Sequence, residues 1–522
     1  MDKIKSGFEV LFSKKNTWRI IFAVLLLFLV ICSVRPSYCI QNDTFYVIKI
    51  GEQLLDNGFD MNDHWAWSAQ IEITYPHLLL NVILAIIYRS FGFVGIYVFV
   101  LLISYFLALS IYYVMEKIHD MTANKEDTTL YPLVGFFVST IVLALFHEFA
   151  VARSQLLTYI LWLWEMWFLL RFLNSGLKRY GVGIIVLAWL CALTHSTAWY
   201  FTFILFIPFF AAVYISKLRK YISSKGKSLS SVLSFDKIIY SSDTECKNVK
   251  KLWIVFLLSY ATGLLTPTRI CYTSVFKING GNPVKYINEF KPLSWSNGKL
   301  VIICAFLFIV LLLLFRIKCR LDLLFLFAGT FAMTLTAIRH IGLLVFVSSY
   351  ALFFLIFSAL RLIPSYIRTT IKNTIIPILT VLVFAVVGLA NNKISNFTLL
   401  DPSEVPVEAV DFLEENYDTK ELRLMNNYGF GAYMLFRDVP VFIDSRVNEY
   451  TKQFNPELER DVFDDYISVL WMNSNWNEII DYYDFDGYLI QKTGPLYEHL
   501  STSPSVEVVW EDDFTIIFMT KR

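Results

Sequence analysis

Long apolar runs separated by short polar stretches dominate the first 390 residues. The runs 20–34 and 300–315 carry no charged residue. Because lipid offers backbone amides no hydrogen-bond partner, such runs are typical of membrane helices. Arg35 and Pro36 follow the first run where a signal peptide would have a small-residue cleavage site, so we expect this run to remain as the first helix. Twelve segments are predicted, near residues 18–34, 74–89, 92–115, 131–147, 155–171, 180–193, 197–215, 252–265, 299–315, 322–337, 341–360 and 374–390.

Basic clusters between these runs predict the orientation. Positively charged loops stay in the cytoplasm, which places the N-terminus and the loop 216–251 inside. Five hydrophobic segments separate the N-terminus from the basic stretch 171–179, and an odd number cannot return the chain to the same side. We expect 131–147 to be re-entrant, which leaves about 11 crossings and an extracytoplasmic C-terminus. The alternative is that one loop breaks the charge rule.

Charge divides the chain into two units. Residues 401–522 contain 25 Asp and Glu against 9 Lys and Arg, whereas the first 400 residues contain 19 against 36. The predicted units are a membrane domain, 1–395, and an acidic soluble domain, 400–522. In the soluble domain we expect an α/β fold, with Ser403 capping a helix through Asn416. Helical spacing is predicted over 457–483, and strands over 439–443, 487–490, 506–510 and 515–519.

The first outer loop, residues 35–74, holds the most informative polar side chains. Its stretch Phe45–Asn57 is amphipathic, as expected for a helix lying in the membrane interface. Asp43 precedes this stretch, and Asp63 and His64 follow it. Acidic groups beside an interfacial helix lie where a lipid-linked substrate can meet a general base.

The order of these features resembles the GT-C superfamily of membrane glycosyltransferases, which use polyprenyl-phosphate sugars. The shared order is a basic N-terminus, one helix, an Asp opening the outer loop, an interfacial helix ending in Gly, Asp-His-aromatic, and Tyr-Pro-His. Further matching stretches are 152–155, His195, 265–267, 287–290 and 337–340. In the tail, 427–433 and 441–446 resemble a bacterial branch of this group.

The resemblance implies roles for individual residues. Asp43 is the expected catalytic base, with Asp63 as the second candidate. Arg153 and Arg339 are expected to bind the donor phosphate. Asp63 and His64 are expected to position the acceptor or to hold a divalent metal, Mg or Mn, which some relatives use. The implied substrate-binding residues are His64, Arg153, Gln155, His195, Glu289 and Arg339.

Each of these residues also has a structural interpretation. Asp43 can cap the interfacial helix, and Asp63 with His64 can form a solvated turn. Arg153 can pair with Glu148 or Glu165 inside the bundle. The side chain of Arg339 can reach from a helix end to the interface, His195 can be a packing residue, and Glu289 can be exposed. Asp-x-Asp and a phosphate-binding loop are both absent from the sequence of the loop 216–251, which argues against a nucleotide-sugar donor.

The predicted function is therefore transfer of a hexosyl or pentosyl group, on the outer face of the cell membrane, from a polyprenyl-phosphate sugar to a glycan, lipid or protein acceptor. The alternatives are a non-catalytic scaffold or receptor of the same fold, and a transporter or lipid flippase. A transporter would predict inverted repeats with broken helices, which the sequence does not contain. The expected partners are the donor, the acceptor and the bilayer, with no nucleic acid.

Overall fold

The computed structural model describes residues 14–122, 130–144, 149–225, 238–273, 283–314, 319–375, 377–382, 385 and 398–521. A helical bundle is followed by an α/β domain formed by residues 401–521, called here the C-terminal domain. The bundle helices are α1 (Lys14–Ser33), α2 (Asn42–Asn57), α3 (Leu78–Thr122), α4 (Leu130–Ala144), α5 (Ser154–Ser175), α6 (Lys178–Thr194), α7 (Tyr200–Ser224), α8 (Asp243–Ala261), α9 (Trp295–Leu314), α10 (Leu321–Thr336) and α11 (Ile341–Leu362).

Three stretches of described helix are long and apolar enough to cross a membrane by length and composition. They are Leu78–Met115, Ser154–Ser175 and Ser196–Ser224. Shorter apolar helices, such as Leu321–Thr336, pack beside them. Many outward-facing side chains of the bundle are large and apolar, which is the pattern of a surface that faces lipid. The fold is therefore that of a helical membrane protein.

Helix α2 is the amphipathic helix predicted after the first membrane segment. It begins at Asn42, where the Thr44 hydroxyl accepts a hydrogen bond from the backbone N–H of Gln41 at 3.2 Å. The alternative that Asp43 caps the helix is wrong, because Asp43 already lies inside the first turn. Gly51 lets α2 approach α3 closely, since a Cβ there would lie 2.0 Å from the Asn81 carbonyl oxygen.

Helix α3 contains a sharp bend that separates two predicted segments. Gly92 has φ +60° and ψ −155°, which is not helical. The chain folds back at this point, because Gly95 packs against Ile87. In a straight helix, eight residues would separate the two positions by about 12 Å along the axis. The bend divides α3 into the stretches 78–91 and 93–122.

Both ends of the stretch 78–91 lie beside the C-terminal domain. Thr74, just before it, donates to Glu449 Oε1 at 2.7 Å. Tyr88 and Phe93, at its far end, place their rings 5.2 and 5.8 Å from that of Phe436. The stretch that begins and ends against this domain is thus 78–91. The sequence had instead predicted a non-crossing segment at 131–147. Residues 145–147 of that segment lie outside the described residues.

The C-terminal domain has one four-stranded mixed sheet. Its strands are β1 (Leu424–Asn426), β2 (Gly487–Gln491), β3 (Val506–Glu511) and β4 (Thr515–Thr520), in the order β1-β2-β4-β3. β1 pairs parallel with β2, and the other pairs are antiparallel. Its helices are α12 (Val407–Asn416), α13 (Tyr428–Phe436), α14 (Val462–Leu470), α15 (Trp476–Tyr483) and α16 (Pro495–Thr502).

The predictions for this domain are confirmed for three strands, for helices within 457–483 and for a helix that ends at Asn416, and they are wrong at two points. Strands β2, β3 and β4 lie where the apolar runs predicted them. The expected strand 439–443 is wrong: Val441 forms only an isolated bridge with Ala66 of the outer loop. The expected helix start at Ser403 is also wrong, because Pro406 directly precedes α12 and the Ser403 hydroxyl is bonded to Asp401.

We predict that the two glycines of Gly429-Phe430-Gly431 respond oppositely to alanine. A Cβ on Gly431 would lie 2.1 Å from the Ile443 carbonyl oxygen, so Gly431→Ala should lower the free energy of unfolding by about 1–3 kcal/mol. Gly429 has nothing within 4 Å of its Cβ position, so Gly429→Ala should be neutral or stabilising by up to ~1 kcal/mol. Thermal unfolding of the detergent-purified full chain measures both, and equal midpoints would contradict this packing role.

Candidate active site

A cavity of about 250 Å³ lies where helix ends of the bundle, the first outer loop and the C-terminal domain meet. It gathers five of the eight residues that the sequence singled out. These are Asp43, Gln155, His195, Glu289 and Arg339. The other lining residues are Tyr46, Thr74, Pro76, His77, Thr158, Tyr159, Trp162, Thr197, Ala198, Tyr200, Phe201, Ile270, Phe290, His340, Leu343, Ser445, Arg446, Asn448, Glu449 and Phe454.

Asp43 presents its carboxylate at the start of α2, beside Arg153. Arg153 Nε lies 3.1 Å from Asp43 Oδ2, and each side chain is about a quarter exposed (26% and 29%). Of the alternative partners of Arg153, Glu165 lies buried within α5 and Glu148 lies outside the described residues. Asp43 lies in the first turn of α2 and Arg153 directly precedes α5, so the pair connects the N-terminal ends of these two helices. Arg153 itself is not among the residues that line the cavity, so the pair places only the Asp43 carboxylate there.

Arg339 and Glu289 reach the cavity from two neighbouring turns. Ile338 donates its backbone N–H to the Lys291 carbonyl at 3.0 Å, which ties the turn Ile338–His340 to the turn Asn288–Phe290. The Arg339 guanidinium lies 4.4 Å from the centre of the Phe290 ring. This cation–π contact holds a positive charge at the cavity wall.

Histidines and an amide form the side of the cavity nearest the bundle. His195 Nδ1 lies 2.9 Å from the Thr158 hydroxyl, and the centre of its ring lies 5.3 Å from that of His77, with the two rings tilted by 55°. Gln155, in the first turn of α5, has a buried side-chain oxygen with no hydrogen-bond partner among the described residues. His195 thus packs and lines the cavity at once, and Gln155 offers an acceptor to a ligand.

Asp63 lies outside the cavity lining and is fully engaged. Its Oδ1 accepts the backbone N–H groups of Trp65 and Ala66 at 2.8 and 2.7 Å, and its Oδ2 accepts a hydrogen bond from Arg446. Arg446 also forks onto Asp444, with Nε 3.0 Å from Oδ1 and Nη2 2.5 Å from Oδ2. All three side chains are at most 4% exposed. Asp63 therefore joins the outer loop to the C-terminal domain.

His64 points away from the cavity. Its Nε2 lies 2.7 Å from Asp60 Oδ2, and its side chain is 57% exposed. It borders a second hollow, beside Lys49 and Asp438, whose Nζ and Oδ2 atoms are 2.6 Å apart. This position matches the solvated-turn alternative, and a substrate-binding role for His64 stays a prediction.

The sequence reasoning missed Tyr46, His77 and Glu449. Tyr46 lies one helical turn after Asp43, which the 3.6-residue period of α2 puts on the same face. His77 closes the Tyr-Pro-His motif. Glu449 carried no signal, since only the fold brings the turn Val447–Tyr450 to the cavity. Burial raises the pKa of Glu449 to about 7, against the Arg446 guanidinium, which lowers it.

The residues present do not fit a divalent metal. No group of three or more His, Cys, Asp or Glu side chains gathers as metal ligands in the described parts of the chain. Asp43 is opposed by the guanidinium of Arg153, which competes with a cation for the same carboxylate. We derive no step through a metal, and metal dependence stays a prediction of the resemblance.

Solved structures of two membrane proteins are similar to this chain in fold. One is the archaeal oligosaccharyltransferase AglB from Archaeoglobus fulgidus, in complex with an inhibitory peptide and a dolichol-phosphate. It has a TM-score of 0.61 and 11% identity, and the match covers 91% of this chain and 70% of AglB. Another is ArnT from Cupriavidus metallidurans bound to undecaprenyl phosphate, with a TM-score of 0.53, 11% identity, and 96% and 98% of the two chains covered.

A third structure is AglB tethered to an acceptor peptide containing the NVT sequon, with a TM-score of 0.61, 11% identity, and coverage of 98% of this chain and 75% of AglB. No family model and no curated protein matches the sequence. At this identity the likeness establishes the fold alone.

We predict different responses at the neighbouring positions Asp63 and His64. Asp63→Asn removes the charge that holds Arg446, so the free energy of unfolding should fall by about 1.5–3 kcal/mol. His64→Ala removes an exposed pair and should change it by about 0.5 kcal/mol or less. Thermal unfolding of the purified full chain compares the two, with limited proteolysis reporting release of the C-terminal domain. An Asp63→Asn protein as stable as His64→Ala would refute the buried link.

Proposed function

Since the chain has the GT-C fold, as its resemblance to that superfamily predicted, we propose that it is a membrane glycosyltransferase that uses a polyprenyl-phosphate sugar. The observation that carries the proposal is one cavity bordered by an acidic side chain, Asp43, and a guanidinium, Arg339. Transfer from a phosphate-linked donor needs this combination: a base for the attacking group and a cation for the departing phosphate.

The reaction follows from these two groups. Asp43 takes the proton of the acceptor hydroxyl as that oxygen bonds to the anomeric carbon, and the bond from this carbon to the phosphate oxygen breaks. The polyprenyl phosphate leaves with the electron pair, and Arg339 stabilises its negative charge. Arg153, bound to Asp43, orients the carboxylate. Asp63 is the weaker candidate for the base because both of its oxygens are already bonded.

The proposed topology keeps about 11 crossings but moves the segment that does not cross. Because the stretch 78–91 starts and ends against the C-terminal domain, we assign it to the outer face, next to α2. Helix α4 then crosses, and the parity required by the basic loops is kept. The outer loop and the C-terminal domain share the extracytoplasmic side, where the lipid-linked donor is presented.

Replacement of Asp43 by Asn tests the catalytic proposal. General-base catalysis contributes about 10²- to 10⁴-fold, so Asp43→Asn should lower the product by at least about 100-fold. The product is defined as the envelope glycan that disappears when the gene is deleted, and it is quantified by mass spectrometry. Asp56→Asn is the matched control, because Asp56 lies on the same helix, binds Arg89 and is 56% exposed. Unchanged glycan in Asp43→Asn cells with normal protein amounts would favour the scaffold alternative.

Cysteine labelling tests the topology. In a chain whose seven cysteines are replaced, Ser90→Cys should react with a membrane-impermeant maleimide added to intact cells, because Ser90 is exposed near the end of 78–91. Ser501→Cys on the C-terminal domain is the outer control, and Ser224→Cys at the end of α7 is the inner one. Labelling of Ser90→Cys only after the membrane is opened would mean that 78–91 crosses.

A further inference from the structure

We propose that Glu449 of the C-terminal domain binds a hydroxyl of the donor sugar, which makes this domain part of the substrate site. The inference rests on the proposed function and extends it to a residue that neither the sequence nor the resemblance assigned. Glu449 lies on the turn Val447–Tyr450, directly after the 441–446 motif, and lines the same cavity as Asp43 and Arg339.

The two oxygens of the Glu449 carboxylate differ in their hydrogen bonding. Oε1 accepts the hydrogen bond of the Thr74 hydroxyl at 2.7 Å. Oε2 is buried and has no hydrogen-bond partner among the described residues, although the side chain is only 8% exposed. Buried carboxylate oxygens are normally hydrogen-bonded, because an unsatisfied one costs about 1–3 kcal/mol. Oε2 is therefore an acceptor available to a ligand.

The neighbouring guanidinium does not satisfy this oxygen. Arg446 Nη1 lies 3.7 Å from Glu449 Oε2, beyond hydrogen-bond distance, and the same nitrogen donates to Asp63. The Nε and Nη2 atoms of Arg446 donate to Asp444. Three carboxylates thus surround one positive charge, and of these four side chains Arg446 and Glu449 line the cavity. Glu449 therefore offers its Oε2 to an O–H donor.

The size and polarity of the cavity indicate that the O–H group bound by Glu449 belongs to a sugar. The Ser445 hydroxyl, which lines the same cavity, is also buried with no hydrogen-bond partner among the described residues. An acceptor and a hydroxyl in one cavity suit the hydroxyls of a sugar ring. The cavity volume of about 250 Å³ is below the ~300–1,000 Å³ of common ligand pockets, which suits one sugar unit. Arg339, which lines the same cavity, is the group that the proposed function assigns to the phosphate.

The test measures binding of defined lipids to the purified full chain in nanodiscs. The probes are undecaprenyl phosphate and undecaprenyl phosphate carrying glucose, galactose, mannose or arabinose. The sugar-lipid that binds the wild type most tightly is then measured with Glu449→Ala, Glu449→Gln and the control Glu457→Ala, an exposed position in the same domain. Glu449→Ala should weaken its binding by about 10- to 100-fold, as expected for a lost hydrogen bond to a carboxylate.

Three internal comparisons make the result decisive. Bare undecaprenyl phosphate should bind every variant equally, which also shows that Glu449→Ala is folded. Glu449→Gln should stay within about 3-fold of wild type, since its NH₂ can donate to Thr74 while its carbonyl oxygen accepts the sugar hydroxyl. Glu457→Ala should match the wild type.

The contrary outcomes separate the two proposals. Retention of the sugar-dependent affinity in Glu449→Ala would overturn the inference, as would a Glu449→Gln protein as impaired as Glu449→Ala. A wild type that binds no sugar-lipid more tightly than undecaprenyl phosphate would also overturn it. Failure of the wild type to bind any of these lipids would instead refute the proposed function.

Discussion

The buried guanidinium of Arg446 is the interaction on which the arrangement of the site depends. It is shared by Asp63 of the first outer loop and Asp444 of the C-terminal domain, and all three side chains are nearly inaccessible to water. A buried charge that loses one of its partners is costly, so the loop and the domain are held together as one unit. The cavity exists because this unit closes over the helix ends of the bundle.

Backbone contacts extend the same connection. Val441 exchanges backbone hydrogen bonds with Trp65 and Trp67 of the loop, at 2.8 and 3.0 Å. The Trp67 indole N–H reaches the Leu424 carbonyl at 3.3 Å, and the Phe45 ring of α2 lies 5.1 Å from that of Tyr433. Polar and aromatic contacts thus fix α2, and with it Asp43, relative to the C-terminal domain. The role of base that we propose for Asp43 requires a fixed geometry of this kind.

Charge is distributed over the cavity in a way that suits a phosphate-linked substrate. Of the charged side chains that line the cavity, Asp43, Glu289 and Arg339 come from the first 400 residues, whereas Arg446 and Glu449 come from the C-terminal domain. The lining therefore offers charges of both signs, as a ligand with an anionic end and a hydroxylated end would need.

The sequence by itself determined the apolar helical bundle, the amphipathic helix after its first segment, three of the four strands and five of the cavity-lining residues. These follow from hydrophobic period, charge and local motif order, which are properties of neighbouring residues. Only the tertiary structure decided that Asp63 is a buried link, that His64 points elsewhere, that 78–91 returns to the C-terminal domain and that Glu449 reaches the cavity. The reason is physical: these outcomes depend on contacts between residues up to 389 positions apart, as in the Lys49–Asp438 pair, and no local pattern encodes them.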